Sequence, residues 1–169
     1  MIYADTTRTE EMLDDMAERL RQSLGDQLSN CAMIGIHTGG VDVAKALHQR
    51  LGLSESLGML SISFYRDDFS RIGLHPTVGA TDLPQQLENR TVILVDDVLY
   101  SGRTVRAALN EIFDYGRPAR VVLACLVERS GHELPIRADV AGVSLDLKRG
   151  QHIKLQTSPL QLELKGEAL

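Results

Sequence analysis

The chain has 169 residues, 43% of them apolar and 24% charged, with a formal net charge of −5. That balance predicts one globular domain over residues 1–169 with a single sizeable core, and argues against indiscriminate binding to nucleic acid. No run approaches the roughly 20 apolar residues of a membrane span. The start, Met1-Ile2-Tyr3-Ala4-Asp5, lacks the basic and apolar stretches of a secretory signal. A cytoplasmic protein with no membrane partner is therefore expected. Cys31 and Cys125 each sit in an apolar run, and the five histidines show no ligand-like spacing, which predicts free buried thiols and no structural zinc.

Thr7-Arg8-Thr9-Glu10 has the spacing of a capping box. After it, Met12, Met16, Leu20, Leu24 and Leu28 recur every four residues beside Leu13 and Ala17, which predicts an amphipathic helix ending near Ser29. Residues 31–36 read as a buried strand. The turn Thr38-Gly39-Gly40 follows, then a helix through Val43, Ala44 and Leu47 to about Leu51. A second strand is predicted at 57–64. Residues 65–83 are polar, with Gly73, Pro76 and Gly79, and a loop of that length in a compact domain suggests a functional lid. A short apolar strand is predicted at 91–95, a helix from about Arg103 to Tyr115 closed by Gly116, and a strand at 121–127. Short β segments follow at 138–145 and 152–155. Strands alternating with helices indicate an α/β fold, a mostly parallel central sheet flanked by helices, with a small β-rich C-terminal part.

The informative segment is Val92-Ile93-Leu94-Val95-Asp96-Asp97-Val98-Leu99-Tyr100-Ser101-Gly102-Arg103-Thr104. A buried strand ends in two carboxylates, where ligands of open α/β sheets bind. Asp96 and Asp97 are acceptors for two neighbouring sugar hydroxyls and can assist a magnesium ion indirectly. Tyr100–Thr104 brings a glycine, two hydroxyls and backbone N–H groups to a helix N-terminus, a ready phosphate site. Capping alone does not call for two acids after so apolar a strand.

This segment resembles the phosphoribosyl-pyrophosphate motif of type I phosphoribosyltransferases; neither a Walker motif nor a dinucleotide fingerprint is present. With Tyr65-Arg66-Asp67-Asp68 and Glu133-Leu134-Pro135-Ile136-Arg137-Ala138-Asp139, the likeness narrows to the PyrR family of pyrimidine-operon regulators and covers roughly residues 13–155. The resemblance implies uracil phosphoribosyltransferase activity paired with attenuation on an mRNA leader, with Mg2+, uridine nucleotides as ligands, and a homo-oligomer. It makes Thr38, Gly39 and Gly40 the pyrophosphate loop, and Val98, Leu99, Tyr100, Ser101, Gly102, Arg103 and Thr104 the rest of the phosphoribosyl pyrophosphate site. It places Arg66 and Asp67, with Asp96 and Asp97, in the catalytic machinery, and Val127, Glu128 and Arg129 at the base, with the Arg129 guanidinium on uracil.

Tyr100 stands where purine-specific relatives usually carry an aspartate, which ranks pyrimidine above purine. Two departures matter, the first for diphosphate binding and catalysis, the second for RNA. Gly39 stands where the known attenuators usually have an arginine. Residues 1–29 carry 3 basic and 7 acidic groups, and Asp14 and Asp15 would repel RNA phosphates, against 7 basic and 4 acidic groups in residues 116–155. A weakly catalytic or non-catalytic sensor of uridine nucleotides, with or without RNA, stays open beside the enzyme.

Overall fold

The computed structural model describes residues 1–62, 81–84 and 86–168. Helix α1 (Thr6–Leu24) is capped by Asp5, whose carboxylate accepts from the Arg8 N–H at 2.9 Å. The expected box is therefore displaced: Thr9 is buried, and its hydroxyl donates to the Asp5 carbonyl at 2.8 Å. An aspartate two residues upstream of Thr7 satisfies the orphan amide instead. The apolar stripe holds, with Met12, Leu13, Met16, Ala17, Leu20 and Leu24 buried. The α-helix stops sooner than its period suggests, because Gly25 turns to a φ of +52°. Leu28 lies beyond it in the 3-10 turn Gly25–Asn30.

A five-stranded parallel sheet follows, built from β2 (Ala32–Ile36), β3 (Gly58–Leu60), β4 (Thr91–Leu99), β5 (Arg120–Arg129) and β6 (Val140–Leu145), in the order β3-β2-β4-β5-β6. α2 (Gly39–Leu51) follows β2, and α3 (Arg103–Tyr115) follows β4. Alternation along the strands sorts the core into two layers. Met33, Ile93, Val95, Val122, Ala124 and Leu126 pack with α1 and α2. Ala32, Ile34, Val92, Leu94, Leu123 and Cys125 pack with Val105, Ala108 and Ile112 of α3. Both faces of the sheet are thus covered, as its continuous apolar strands require. Each fully buried Leu or Ile contributes about 1.5–3 kcal/mol to that arrangement.

The C-terminal β segments divide between two sheets. The segment expected at 138–145 becomes β6, the outermost parallel strand, while the one at 152–155 becomes β7 (His152–Thr157) in a second, antiparallel sheet. There β7 pairs with β8 (Leu160–Lys165), which pairs with β1 (Ile2–Ala4). Neither β1 nor β8 was anticipated. Ile153, Leu155 and Leu162 of this sheet join the α1–α2 side of the core. Among the described residues no helix is long and apolar enough to cross a membrane. Residues 63–80, which hold most of the predicted lid together with Arg66 and Asp67, lie outside the described set. Just after them, Asp82 bridges Met59, and Leu83 is buried.

Candidate active site

The two aspartates stand inside β4 rather than beyond its end, since β4 runs to Leu99 and keeps its pairing, Asp96 with Cys125 and Leu99 with Glu128. The sequence break from apolar to acidic marks the edge of the core and not the end of the strand. Asp96 is 5% exposed. Its Oδ1 accepts from the Asp97 N–H, and Asp97 Oδ1 accepts from the Val98 N–H, both at 2.9 Å. Each carboxylate is thereby fixed by the backbone that follows it, with acceptor capacity to spare. Cys125, opposite Asp96, is fully buried, and burial pushes its thiol well above the usual range, with the negative charges of Asp96, Glu128 and Asp97 adding to the effect.

Beyond Leu99 the chain turns through Tyr100, Ser101 and Gly102 into α3. Gly102, with φ +94°, is the N-cap and provides no side-chain cap. Ser101 Oγ lies 3.2 Å from the Arg103 N–H. A small cavity of about 110 Å3 is enclosed here by Asp96, Leu99, Tyr100, Ser101, Gly102 and Thr104, among others. The first N–H groups of α3 lack intrahelical acceptors, and the helix end carries partial positive charge, an arrangement that suits an anion.

Across from β4 lies the turn into α2, entered through a cis His37–Thr38 peptide. Glycine is needed here for close approach. A Cβ on Gly39 would collide with the Asp97 carboxylate, lying 2.7 Å from its Cγ, and one on Gly40 would lie 2.7 Å from the Val95 carbonyl oxygen. Gly39 therefore leaves room for Asp97, which gives a structural reason for its departure from arginine.

A cavity of about 570 Å3 joins these parts, lined by His37, Thr38, Gly39, Asp96, Asp97, Val98 and Thr104, and closed on another side by Lys154, Leu155, Gln156 and Thr157 of β7. Asp96, Val98 and Thr104 border both cavities, so the acidic pair and the turn into α3 adjoin. His37 and the β7 residues were missed from the sequence. His37 was readable as a polar residue at the carboxyl end of β2. The β7 wall had no local signal, because a second sheet carries it there.

Val127, Glu128 and Arg129 do not line this cavity. Val127 is fully buried, and the Glu128 carboxylate accepts from the Ala138 N–H at 3.2 Å. The Arg129 guanidinium, expected on a base, instead lies 4.1 Å from the centroid of the Tyr100 ring and donates to the carbonyls of Ser130 and Gln151 at 3.2 and 3.0 Å. Its residue is 8% exposed. A buried guanidinium takes the partners that satisfy it, and here these are protein groups. Arg129 and Glu128 border a separate hollow with His132, Arg137 and Asp146.

The family model for the phosphoribosyl transferase domain matches residues 3–158, a span that includes the parallel sheet, β7 and both cavities. The chain belongs to the phosphoribosyltransferase family, in its PyrR branch. A relative from Nitrosococcus oceani, named bifunctional protein PyrR, is 57% identical over 155 residues, covering 89% of this chain and 88% of the relative. A protein of the same name from Pseudomonas paraeruginosa is 53% identical over 157 residues, covering 92% of each. Among solved structures, a hypoxanthine-guanine phosphoribosyltransferase from Bacillus anthracis superposes with a TM-score of 0.71 at 16% identity, covering 88% of this phosphoribosyltransferase and 85% of that chain. A hypoxanthine-guanine-xanthine phosphoribosyltransferase superposes with a TM-score of 0.66 at 18% identity, covering 86% and 78%. At those identities the purine enzymes share the fold with this chain, and the type I phosphoribosyltransferase architecture expected from the sequence is the one observed.

Proposed function

We propose that this protein is a uracil phosphoribosyltransferase that also regulates pyrimidine biosynthesis genes, converting uracil and phosphoribosyl pyrophosphate to uridine monophosphate and pyrophosphate. The observation that carries the reading is that the two cavities share Asp96, Val98 and Thr104 in their walls. An acidic pair suited to ribose hydroxyls borders an anion cradle on one side and a glycine turn on the other. In this reading Asp96 and Asp97 take the ribose, Tyr100–Thr104 takes the 5′-phosphate, and Thr38, Gly39 and Gly40 meet the diphosphate. On the remaining wall Gln156 and Thr157 offer the mix of donor and acceptor that an imide edge needs.

The chemistry asks little covalent work of the protein. The bond from the anomeric carbon to the diphosphate oxygen breaks, the oxygen keeps the electron pair, and uracil N1 bonds to that carbon and releases its proton. The ribose gains positive character on the way, which the buried negative charge of Asp96 and its neighbour stabilises while both hold the sugar in line. No group of three or more metal-ligating side chains occurs among the described residues. That donor set fits a Mg2+ ion held chiefly by substrate phosphates, with Asp96 and Asp97 as supports. When bound, the ion would offset the charge of the departing diphosphate.

The test is steady-state formation of nucleotide from phosphoribosyl pyrophosphate with uracil, hypoxanthine or guanine. Uridine monophosphate as the main product supports the proposal. Turnover confined to the purines, or none with any base, overturns it.

A further inference from the structure

Arg129 is a buried cation that the proposed chemistry does not use, and its contacts join two separate parts of the site. Its guanidinium lies over Tyr100, which directly precedes the Ser101–Gly102 turn of the anion cradle. It also donates to the Gln151 carbonyl, at the entrance to β7, whose residues 154–157 wall the larger cavity. The same segment grips the cradle elsewhere. The Glu133 and Leu134 N–H groups both donate to the Ser101 carbonyl, at 3.0 and 3.1 Å, and Glu133 pairs with Arg103 at 3.0 Å. Under the Tyr100 ring sits Gly131, with φ +108°, where a Cβ would come within 2.5 Å of the ring. Tyr100 is thus held between Gly131 and Arg129 although 49% of it stays exposed.

We propose that Arg129 and Tyr100 form a strut that positions the 5′-phosphate loop relative to the β7 wall, so that Arg129 is a positioning residue and Tyr100 its lever. The proposal rests on the phosphoribosyltransferase reading above. Its physical basis is that a loop binding an anion through backbone N–H groups works only when those groups are already aimed. Ser101 and Gly102 have little side chain of their own to fix them. Stacking a guanidinium on the ring of the preceding residue fixes the loop from outside, and the desolvation of Arg129 strengthens the contact.

The experiment compares Tyr100→Leu, Tyr100→Phe, Arg129→Met and Arg129→Lys in the full chain. Binding of uridine monophosphate and of inorganic pyrophosphate is measured by calorimetry, alongside thermal melting. We expect Tyr100→Leu and Arg129→Met to weaken uridine monophosphate about threefold to tenfold, with pyrophosphate affinity unchanged. Tyr100→Phe, which keeps the ring, loses less than Tyr100→Leu, and the Tyr100→Leu/Arg129→Met double variant is no worse than the poorer single one, since both break one contact. The KM for phosphoribosyl pyrophosphate rises in the same order. Tyr100 is half-exposed, so its variants report even if Arg129→Met folds poorly. Unchanged uridine monophosphate affinity in Tyr100→Leu, or equal loss of both ligands, overturns the strut. If the unaltered protein binds neither ligand, the parent reading falls and takes the strut with it.

Discussion

Replacing Gly39 with alanine asks whether the turn is glycine in order to free Asp97. The added Cβ would collide with the Asp97 carboxylate, with its Cγ at 2.7 Å and its Cβ at 3.1 Å. The near end of the side chain is involved as well as its tip, so Asp97 must change rotamer. Two losses follow, and they differ in size. The Asp97–Val98 hydrogen bond, 2.9 Å long, is worth about 1 kcal/mol to stability, which lowers the melting temperature by roughly 2–4 °C in a chain of this size. The charge-assisted bond from Asp97 to ribose is worth about 1.5–3 kcal/mol, which weakens phosphoribosyl pyrophosphate by roughly tenfold to a hundredfold. Gly39→Arg should do no better, because its extra cation arrives on the same Cβ. Calorimetric titration with phosphoribosyl pyrophosphate and magnesium, paired with a melting curve, reads both numbers. Tighter binding by Gly39→Arg than by the unaltered protein would falsify this reasoning, since the cation would then have been accommodated without displacing Asp97.

Asp96→Asn and Asp97→Asn should each weaken phosphoribosyl pyrophosphate at least about tenfold while leaving the fold intact; calorimetry showing wild-type affinity in both would remove the ribose assignment. Burial raises the pKa of Cys31 and of Cys125, so both remain thiols at neutral pH. A thiol reagent should then react with them far more slowly in native protein than in denaturant, and fast native labelling would contradict the buried placement. A pyrimidine leader RNA should bind weakly at physiological salt. Arg50 pairs with Glu10 and Asp14, and Arg19 with Asp15, which mutes the acidic face of α1 without making it basic. Nanomolar leader affinity with preference over scrambled RNA, measured by filter binding at several salt concentrations, would show that α1 is no obstacle.

The parallel sheet was legible because its strands are continuous apolar runs punctuated by glycine and acid, and because the helices between them keep a 3.6-residue period. The turn into α3 was legible for a related reason: Ser101, Gly102 and Thr104 are local in sequence and the helix follows them at once. Long-range pairing is what local sequence does not carry. Residues 152–157 alternate, with Ile153 and Leu155 buried, yet nothing local says that their partner is β8 or that β8 continues to β1. Arg129 sits at a strand end, the right place for a ligand contact, but its partners at Tyr100 and Gln151 are 29 and 22 residues away. Long-range pairing of this kind decides whether a cation meets substrate or protein, and periodicity carries no record of it.

The antiparallel sheet also sets a timetable. Ile2 pairs with Glu163 and Ala4 with Leu162, so the strand holding β7 in place joins segments that leave the ribosome far apart in time. During translation the phosphate loop and all five parallel strands precede β8, and a nascent chain owns a cradle before it owns the wall facing it. The same order holds in reverse for proteolytic trimming. A nick between β7 and β8 followed by loss of β8 would take Leu162 from the α1–α2 side of the core and leave β7, the outer strand of its sheet, without its strand partner among the described residues. Such a cut would act on the β7 wall of the larger cavity and on the core at once, so site geometry and stability would fall together.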